Sequence, residues 1–142
     1  MADIQLVLIE ADEQTRLELR KALRAQVGME VASEATNAET GLVLLESIDV
    51  DVAVMDGTLP DLDLATFLQR ARELQADSCV TPSKFLALIT PDQVVAFSRL
   101  QGAGAESYCL KTAPVEQLAE AVRQTYAGQT YLDPQLQNVA VS

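Results

Sequence analysis

The sequence predicts an α/β domain built on a doubly wound, five-stranded parallel sheet. Three observations point there. Short apolar runs alternate with helical patterns from the N-terminus to about residue 128, the last helical segment carries one continuous apolar stripe, and no repeat or low-complexity tract interrupts the alternation. Strands that alternate with helices favour parallel pairing with right-handed crossovers, because each helix must pack back onto the sheet it left. With 142 residues, 49% of them hydrophobic, the chain can build one sizeable core without disulfide or metal staples.

The elements run in order. The apolar run Ile4–Ile9 is the first strand, and the pattern over about 14–26 is the first helix. Met29–Ala35 is the second strand and Ala38–Ser47 the second helix; residues 52–55 then form a strand and 63–75 a helix. Residues 85–89 form the fourth strand, 91–100 the fourth helix and Ser107–Leu110 the fifth strand. The fifth helix, 114–127, is the clearest: Val115, Leu118, Ala119, Val122 and Tyr126 make its stripe, Pro114 suits its first turn, and Gly128 its stop. Residues 1–128 are thus expected to form the domain, and 129–142, with the turn pair Asp133-Pro134, a C-terminal tail or the start of a linker. Residues 76–83 are the expected exposed loop.

Composition excludes several classes of function. Ten Lys and Arg stand against 21 Asp and Glu, a net charge of −11, so the chain lacks the basic footprint that direct nucleic-acid binding requires. There is no histidine, which removes Ser-His-Asp and Cys-His catalysis and histidine metal ligation. The first apolar run is too short for a membrane span and has no basic flank, so a cytoplasmic location is expected, with Cys79 and Cys109 as reduced thiols.

In an open parallel sheet, ligands bind beyond the C-terminal ends of the strands. There the first strand ends in Glu10, Ala11 and Asp12, the third in Asp56, the fourth in Thr90 and the fifth in Lys111. Carboxylates gathered at one crevice suit a hard cation such as Mg²⁺. A carboxylate among them could attack a phosphoryl group, with Thr90 and Lys111 bonding the phosphate oxygens. Asp56 could also simply open a turn, and Thr90 could merely cap the segment that begins at Pro91.

The motifs LVLIEADEQTRLELRKAL, MEVASEATNAETGLVLL, VAVMDGTLPDLD, FLALIT and GAESYCLKTAPVEQLAEAVRQTYAGQTYLDP, in this order, resemble a response regulator receiver domain, with wording nearest the LuxR/NarL class. The resemblance implies a flavodoxin-like fold with strand order 2-1-3-4-5 and five flanking helices, the first and fifth on one face. It implies Asp56 as phosphoacceptor, Lys111 as phosphate-binding lysine, Thr90 as switch hydroxyl and Tyr108 as switch aromatic. The metal would be held by Glu10, Asp56 and the backbone carbonyl of Thr58, with Asp12 a further candidate. It implies a two-component phosphorelay with a sensor histidine kinase as partner, a homodimer through the last helix and strand, no enzyme activity beyond assisting its own phosphoryl transfer, and a role in transcriptional regulation. That class carries a helix-turn-helix domain after the linker.

Two departures qualify the resemblance. Ala11 stands where the family has its second acid, a direct metal ligand, so the acidic pocket is atypical and the implied Mg²⁺ site is weakened. Leu64 stands where the family often has glycine. Arg16, Arg20 and Arg24 form a basic stripe on the first helix, either solvated or facing a kinase. Two functional readings remain open: a phosphoacceptor switch, favoured by Asp56, Thr90, Tyr108 and Lys111, and a phosphorylation-independent pseudo-receiver acting as a protein-binding module, favoured by Ala11.

Overall fold

The computed structural model describes residues 3–96 and 100–140. Five parallel strands, β1 (Ile4–Ile9), β2 (Met29–Ala35), β3 (Val52–Asp56), β4 (Lys84–Ile89) and β5 (Ser107–Leu110), pair in the order β2-β1-β3-β4-β5. All five residues of β3 are buried, as a central strand covered on both faces requires.

One face is covered by α1 (Glu13–Arg24) and α4 (Val115–Tyr126), whose Leu19, Leu23, Leu118 and Val122 pack on Leu6, Leu8, Val54 and Leu86. The other is covered by α2 (Ala38–Ser47) and α3 (Leu64–Ala76), with Leu42, Phe67 and Leu68 against Ile9, Met55, Phe85 and Ala87. The atypical Leu64 is simply buried in this second core. Three helices start with the same chemistry: Asp12, Asn37 and Asp63 each accept a bond from the backbone N–H of a threonine three residues on. α2 approaches β1 closely at Gly41, where a Cβ would lie 2.8 Å from Ile9 Cδ1.

The pairing of β1 with β2 slips by one residue between Leu6 and Val7. Because side chains alternate along a strand, the slip moves the later part of β2 out of phase. Met29 and Val31 face α1, while Ala35 joins the opposite core. Glu34 meets α1 instead, 2.9 Å from Arg20 Nη1 and 3.5 Å from Arg16 Nε. The basic stripe is therefore largely an internal tie, and of its three residues only Arg24 is exposed.

Two segments differ from the sequence reading. The expected helix at 91–100 is a 3-10 helix over Pro91–Ala96, followed by residues that lie outside the described ones at 97–99. The loop 76–83 is mostly exposed, but its last residue is not: Ser83 donates 2.7 Å to the Val50 carbonyl and exchanges bonds with buried Gln75, tying the end of α3 to the start of β4. No helix among the described residues is long and apolar enough to cross a membrane.

The segment after Gly128, expected as a tail or the start of a linker, lies along the outer edge of β5. Tyr108 N–H donates 2.9 Å to the Tyr131 carbonyl, Asp133 N–H donates 2.9 Å to the Tyr108 carbonyl, and Leu110 N–H donates 2.9 Å to Asp133 Oδ2. This satisfies a strand edge that would otherwise expose unpaired groups. The short helix α5 (Pro134–Ala140) comes next, and its Leu136 is fully buried beside Tyr108 and Leu110. β5 itself is buried throughout, so the part of the expected dimer contact assigned to Ser107–Leu110 has no exposed strand to use.

Leu136→Ala should lower the unfolding free energy by about 2–5 kcal/mol, as for other buried leucines. Urea denaturation measures it, and a loss near zero would show that the segment contributes nothing to the core. The buried Cys109 thiol supplies a pH test. Burial, reinforced by the neighbouring Asp133 carboxylate, raises its pKa from 9.0 to about 12. The folded chain thus keeps a proton that the unfolded chain loses, and stability should fall as pH rises from 9 toward 12. Melting curves of wild type and Cys109→Ala should diverge across that window, with the variant less pH-dependent.

Candidate functional site

β1, β3 and β5 end together, and their last side chains meet. Lys111 Nζ lies 2.6 Å from Glu10 Oε1 and 3.2 Å from Asp56 Oδ2. Both carboxylates are nearly buried, at 2% exposure for Glu10 and 8% for Asp56, which is tolerable only because each has a cation and further donors. Burial opposes the charge on Lys111, but the hydrogen bond to Glu10 and the carboxylates of Asp56 and Glu10 outweigh it, so the lysine titrates above its usual value.

The two oxygens of Asp56 are held differently. Oδ1 accepts from Thr58 N–H at 2.9 Å and from the Thr58 hydroxyl at 3.1 Å; Oδ2 faces Lys111. The chain can turn tightly here because Gly57 N–H bonds the Leu88 carbonyl at 2.8 Å, where a Cβ would come within 3.2 Å of that oxygen. The acids further along this loop serve the scaffold. Asp61 accepts from Ala38 and Glu39 at the start of α2, and Asp63 caps α3; backbone bonds lower the pKa of each. Asp56 alone of this run points at Lys111.

Thr90 joins through an intermediary that carries no mark in the sequence. Gln93 Oε1 accepts from Thr90 N–H at 3.2 Å, and Gln93 Nε2 donates to Thr58 Oγ1 at 2.7 Å. An amide four residues beyond a strand end has no signal that would separate it from a solvated one. Arg16, in sequence only one member of a stripe, donates 2.9 Å to the Glu10 carbonyl and so steadies the loop that carries the first acid.

Asp12 does not join the cluster. Its carboxylate accepts from the Thr15 hydroxyl at 2.7 Å and Thr15 N–H at 2.8 Å, bonds that lower its pKa and fix it as the α1 cap. Tyr108 also lies apart from the acids. It is 3% exposed, its hydroxyl bonded to the Leu100 and Gln101 carbonyls and to Ala105 N–H, and burial raises its pKa.

As a metal site the donor set is short of a carboxylate. Position 11 offers a methyl group, Asp12 is committed elsewhere, and the remaining carboxylates, Glu10 and Asp56, both face Lys111. Among the described residues no group of three or more acidic, histidine or cysteine side chains is arranged to hold a metal ion. The cluster can instead present an anionic oxygen beside a buried ammonium, an arrangement suited to receiving an electrophile that brings its own negative charge.

Comparison with known proteins bears on the chain as a whole. The model of the response regulator receiver domain family matches residues 6–123. The chain is similar to the response regulator GacA of Pseudomonas aeruginosa, 28% identical over 134 residues that are 94% of this chain and 60% of that protein. It is similar to the transcriptional regulatory protein LiaR of Bacillus subtilis, 30% identical over 140 residues, 98% of this chain and 64% of that one. Among solved structures, response regulator ChrA of a heme-sensing two-component system superposes with a TM-score of 0.75 at 28% identity, covering 98% of this chain and 64% of that one. A LuxR-family two-component response regulator from Aurantimonas superposes with a TM-score of 0.84 at 20% identity, covering 99% and 96%, a likeness of fold alone. The chain spans 60–64% of the length of the curated relatives named here.

Removing one partner of a buried ion pair leaves an uncompensated charge, whereas removing both is often mild. Lys111→Met should therefore destabilise the protein by about 3 kcal/mol, and Glu10→Gln in the Lys111→Met background should recover much of that. A double-mutant cycle by chemical denaturation measures the coupling; strictly additive effects would show that the pair contributes no interaction.

Proposed function

The chain belongs to the response regulator receiver domain family, and from that premise we propose that it is a phosphoacceptor switch in which Asp56 takes a phosphoryl group from a sensor histidine kinase. Receivers of this family act as phosphoacceptors rather than as enzymes turning over a separate substrate. The observation that carries the reading is the unequal holding of Asp56, with Oδ1 fixed by Thr58 and Oδ2 facing Lys111.

In the transfer, an Asp56 carboxylate oxygen forms a bond to phosphorus, the bond from phosphorus to the kinase's histidine nitrogen breaks, and that nitrogen keeps the electron pair. The Lys111 ammonium would neutralise charge on the phosphoryl oxygens, and the Thr90 hydroxyl would bond another of them. Tyr108 would respond as the switch aromatic. Because its hydroxyl holds the carbonyls of Leu100 and Gln101, a shift of that ring would carry the segment before β5 with it. The output would be a changed protein contact, with regulation of transcription as the downstream process. Contact with a second copy would use the exposed Val115 and Tyr126 of α4, and a kinase-facing domain of this kind would act in the cytoplasm.

Receiver domains generally bind Mg²⁺ at the acidic pocket. Here the ion would be held by Glu10, Asp56 and the Thr58 carbonyl in competition with Lys111, so binding should be weak. One observation favours a second reading, the phosphorylation-independent pseudo-receiver that works as a protein-binding module: Asp12, the candidate to stand in for an acid at position 11, is spent as a helix cap.

Acetyl phosphate separates the two readings, since labelling forms the Asp56 oxygen–phosphorus bond and releases acetate. Wild type should bind Mg²⁺ weakly and label slowly. Ala11→Asp should raise Mg²⁺ affinity by at least about 10-fold, given that even groups which merely orient ligands are worth about 10- to 100-fold, and should speed labelling; Asp56→Asn should abolish it. Fast wild-type labelling indifferent to Ala11→Asp would show that the pocket needs no further acid. An absence of labelling even in Ala11→Asp would favour the pseudo-receiver.

A further inference from the structure

Gln93 closes a chain of hydrogen bonds that runs from the phosphoacceptor to the switch threonine. The Thr58 hydroxyl has one proton, and it goes to Asp56 Oδ1, an acceptor that cannot donate. Thr58 Oγ1 must therefore accept from its other neighbour, and the Gln93 amide nitrogen supplies that bond at 2.7 Å. With the NH₂ group so committed, the amide oxygen faces Thr90 N–H, which needs an acceptor and lies 3.2 Å away. Gln93 N–H in turn donates 2.9 Å to the Thr90 carbonyl. Every donor meets an acceptor in only one orientation of the amide.

We propose that Gln93 is a positioning residue: a clip that holds the Thr90 backbone in its resting place for as long as Asp56 is an unmodified carboxylate. The inference rests on the phosphoacceptor reading of Asp56. The bond from Thr58 to Oδ1 is a long one at 3.1 Å, and it depends on the charge of its acceptor. Once the other oxygen is bonded to phosphorus, Oδ1 becomes the carbonyl of an acyl phosphate, a neutral and weaker acceptor. The new phosphoryl oxygens then compete for the Thr58 proton. The anchor of the clip loosens at the moment when Thr90 must move toward the phosphate. Gln93 thus links the charge on Asp56 to the freedom of the segment after β4 without touching Asp56 itself.

A ligand that favours one state shifts the equilibrium only by its differential affinity, and the same holds for a clip present in one state. Gln93→Ala removes a contact made mainly in the unmodified state, so it should favour the modified one. Beryllofluoride, a phosphoryl mimic, should bind the variant about two- to ten-fold more tightly than wild type, the range expected for a hydrogen bond or two. In a Thr58→Val background, where the hydroxyl anchor is gone, Gln93→Ala should change that affinity far less. Gln93→Glu keeps the acceptor for Thr90 N–H but can no longer donate to Thr58, so it should fail to restore the wild-type value. Unchanged or weaker beryllofluoride binding in Gln93→Ala, or an equal effect with and without the Thr58 hydroxyl, would overturn the proposal.

Amide hydrogen exchange of the unmodified protein separates failure of the clip from failure of the phosphoacceptor reading. Gln93→Ala should speed exchange at Thr90 N–H several-fold whether or not Asp56 is ever modified. Wild-type exchange at Thr90 as fast as in the variant would remove the clip outright. Faster exchange in the variant, together with a wild type that takes neither phosphate nor beryllofluoride, would leave the restraint standing and remove its link to phosphorylation, overturning the proposal through the reading on which it rests.

Discussion

The pairing of Lys111 with Glu10 and Asp56 is the constraint on which the rest of the arrangement depends. Two carboxylates this deeply buried would repel one another and lose hydration unless a cation stood between them. Lys111 supplies it from a different strand, at 2.6 and 3.2 Å. That requires the ends of β1, β3 and β5 to be level, which in turn requires a parallel sheet with its crossovers on both faces. Neutrality is not complete: two anions meet one ammonium. The surplus negative charge is carried by hydrogen bonds, from Asp12 N–H to Glu10 and from Thr58 to Asp56.

The same cluster explains why an alanine at position 11 is tolerated by the fold. An acid there would add a third negative charge to a pocket with one lysine, and without a metal it would cost stability. With alanine, the pocket is close to balanced by its own residues. Lys111 is thus the cation that offsets both carboxylates, at 2.6 Å from Glu10 and 3.2 Å from Asp56.

The C-terminal segment couples this centre to α5. Residues Tyr131 and Asp133 bond β5 on both sides of Tyr108, and Leu136 packs against Tyr108 from the same direction. A displacement of β5 or of the Tyr108 ring is therefore felt directly at α5. Gln93 and Thr58 tie the other end, linking Asp56 to Thr90. Between them lies the 3-10 segment Pro91–Ala96, in contact with α5.

Periodicity and strand-end chemistry were sufficient to determine most of the elements, because an apolar run of strand length and an apolar stripe at helical spacing each have one economical way to be buried. They also determined that Glu10, Asp56, Thr90 and Lys111 lie at strand ends; the family motif supplied the strand order, and the sheet then brings them to one edge. What they could not determine was the use of each polar side chain. Asp12, Asp56, Asp61 and Asp63 are the same residue type near the same rim, yet three cap helices and one faces Lys111, a difference set by backbone direction after each strand. Gln93, Arg16 and Asp133 have no local pattern that marks the contacts they make. Gln93 reaches Thr58 across 35 residues, Asp133 reaches Leu110 across 23, and Arg16 on α1 meets Glu34 on β2, so only the folded chain brings them to the groups that give them a role.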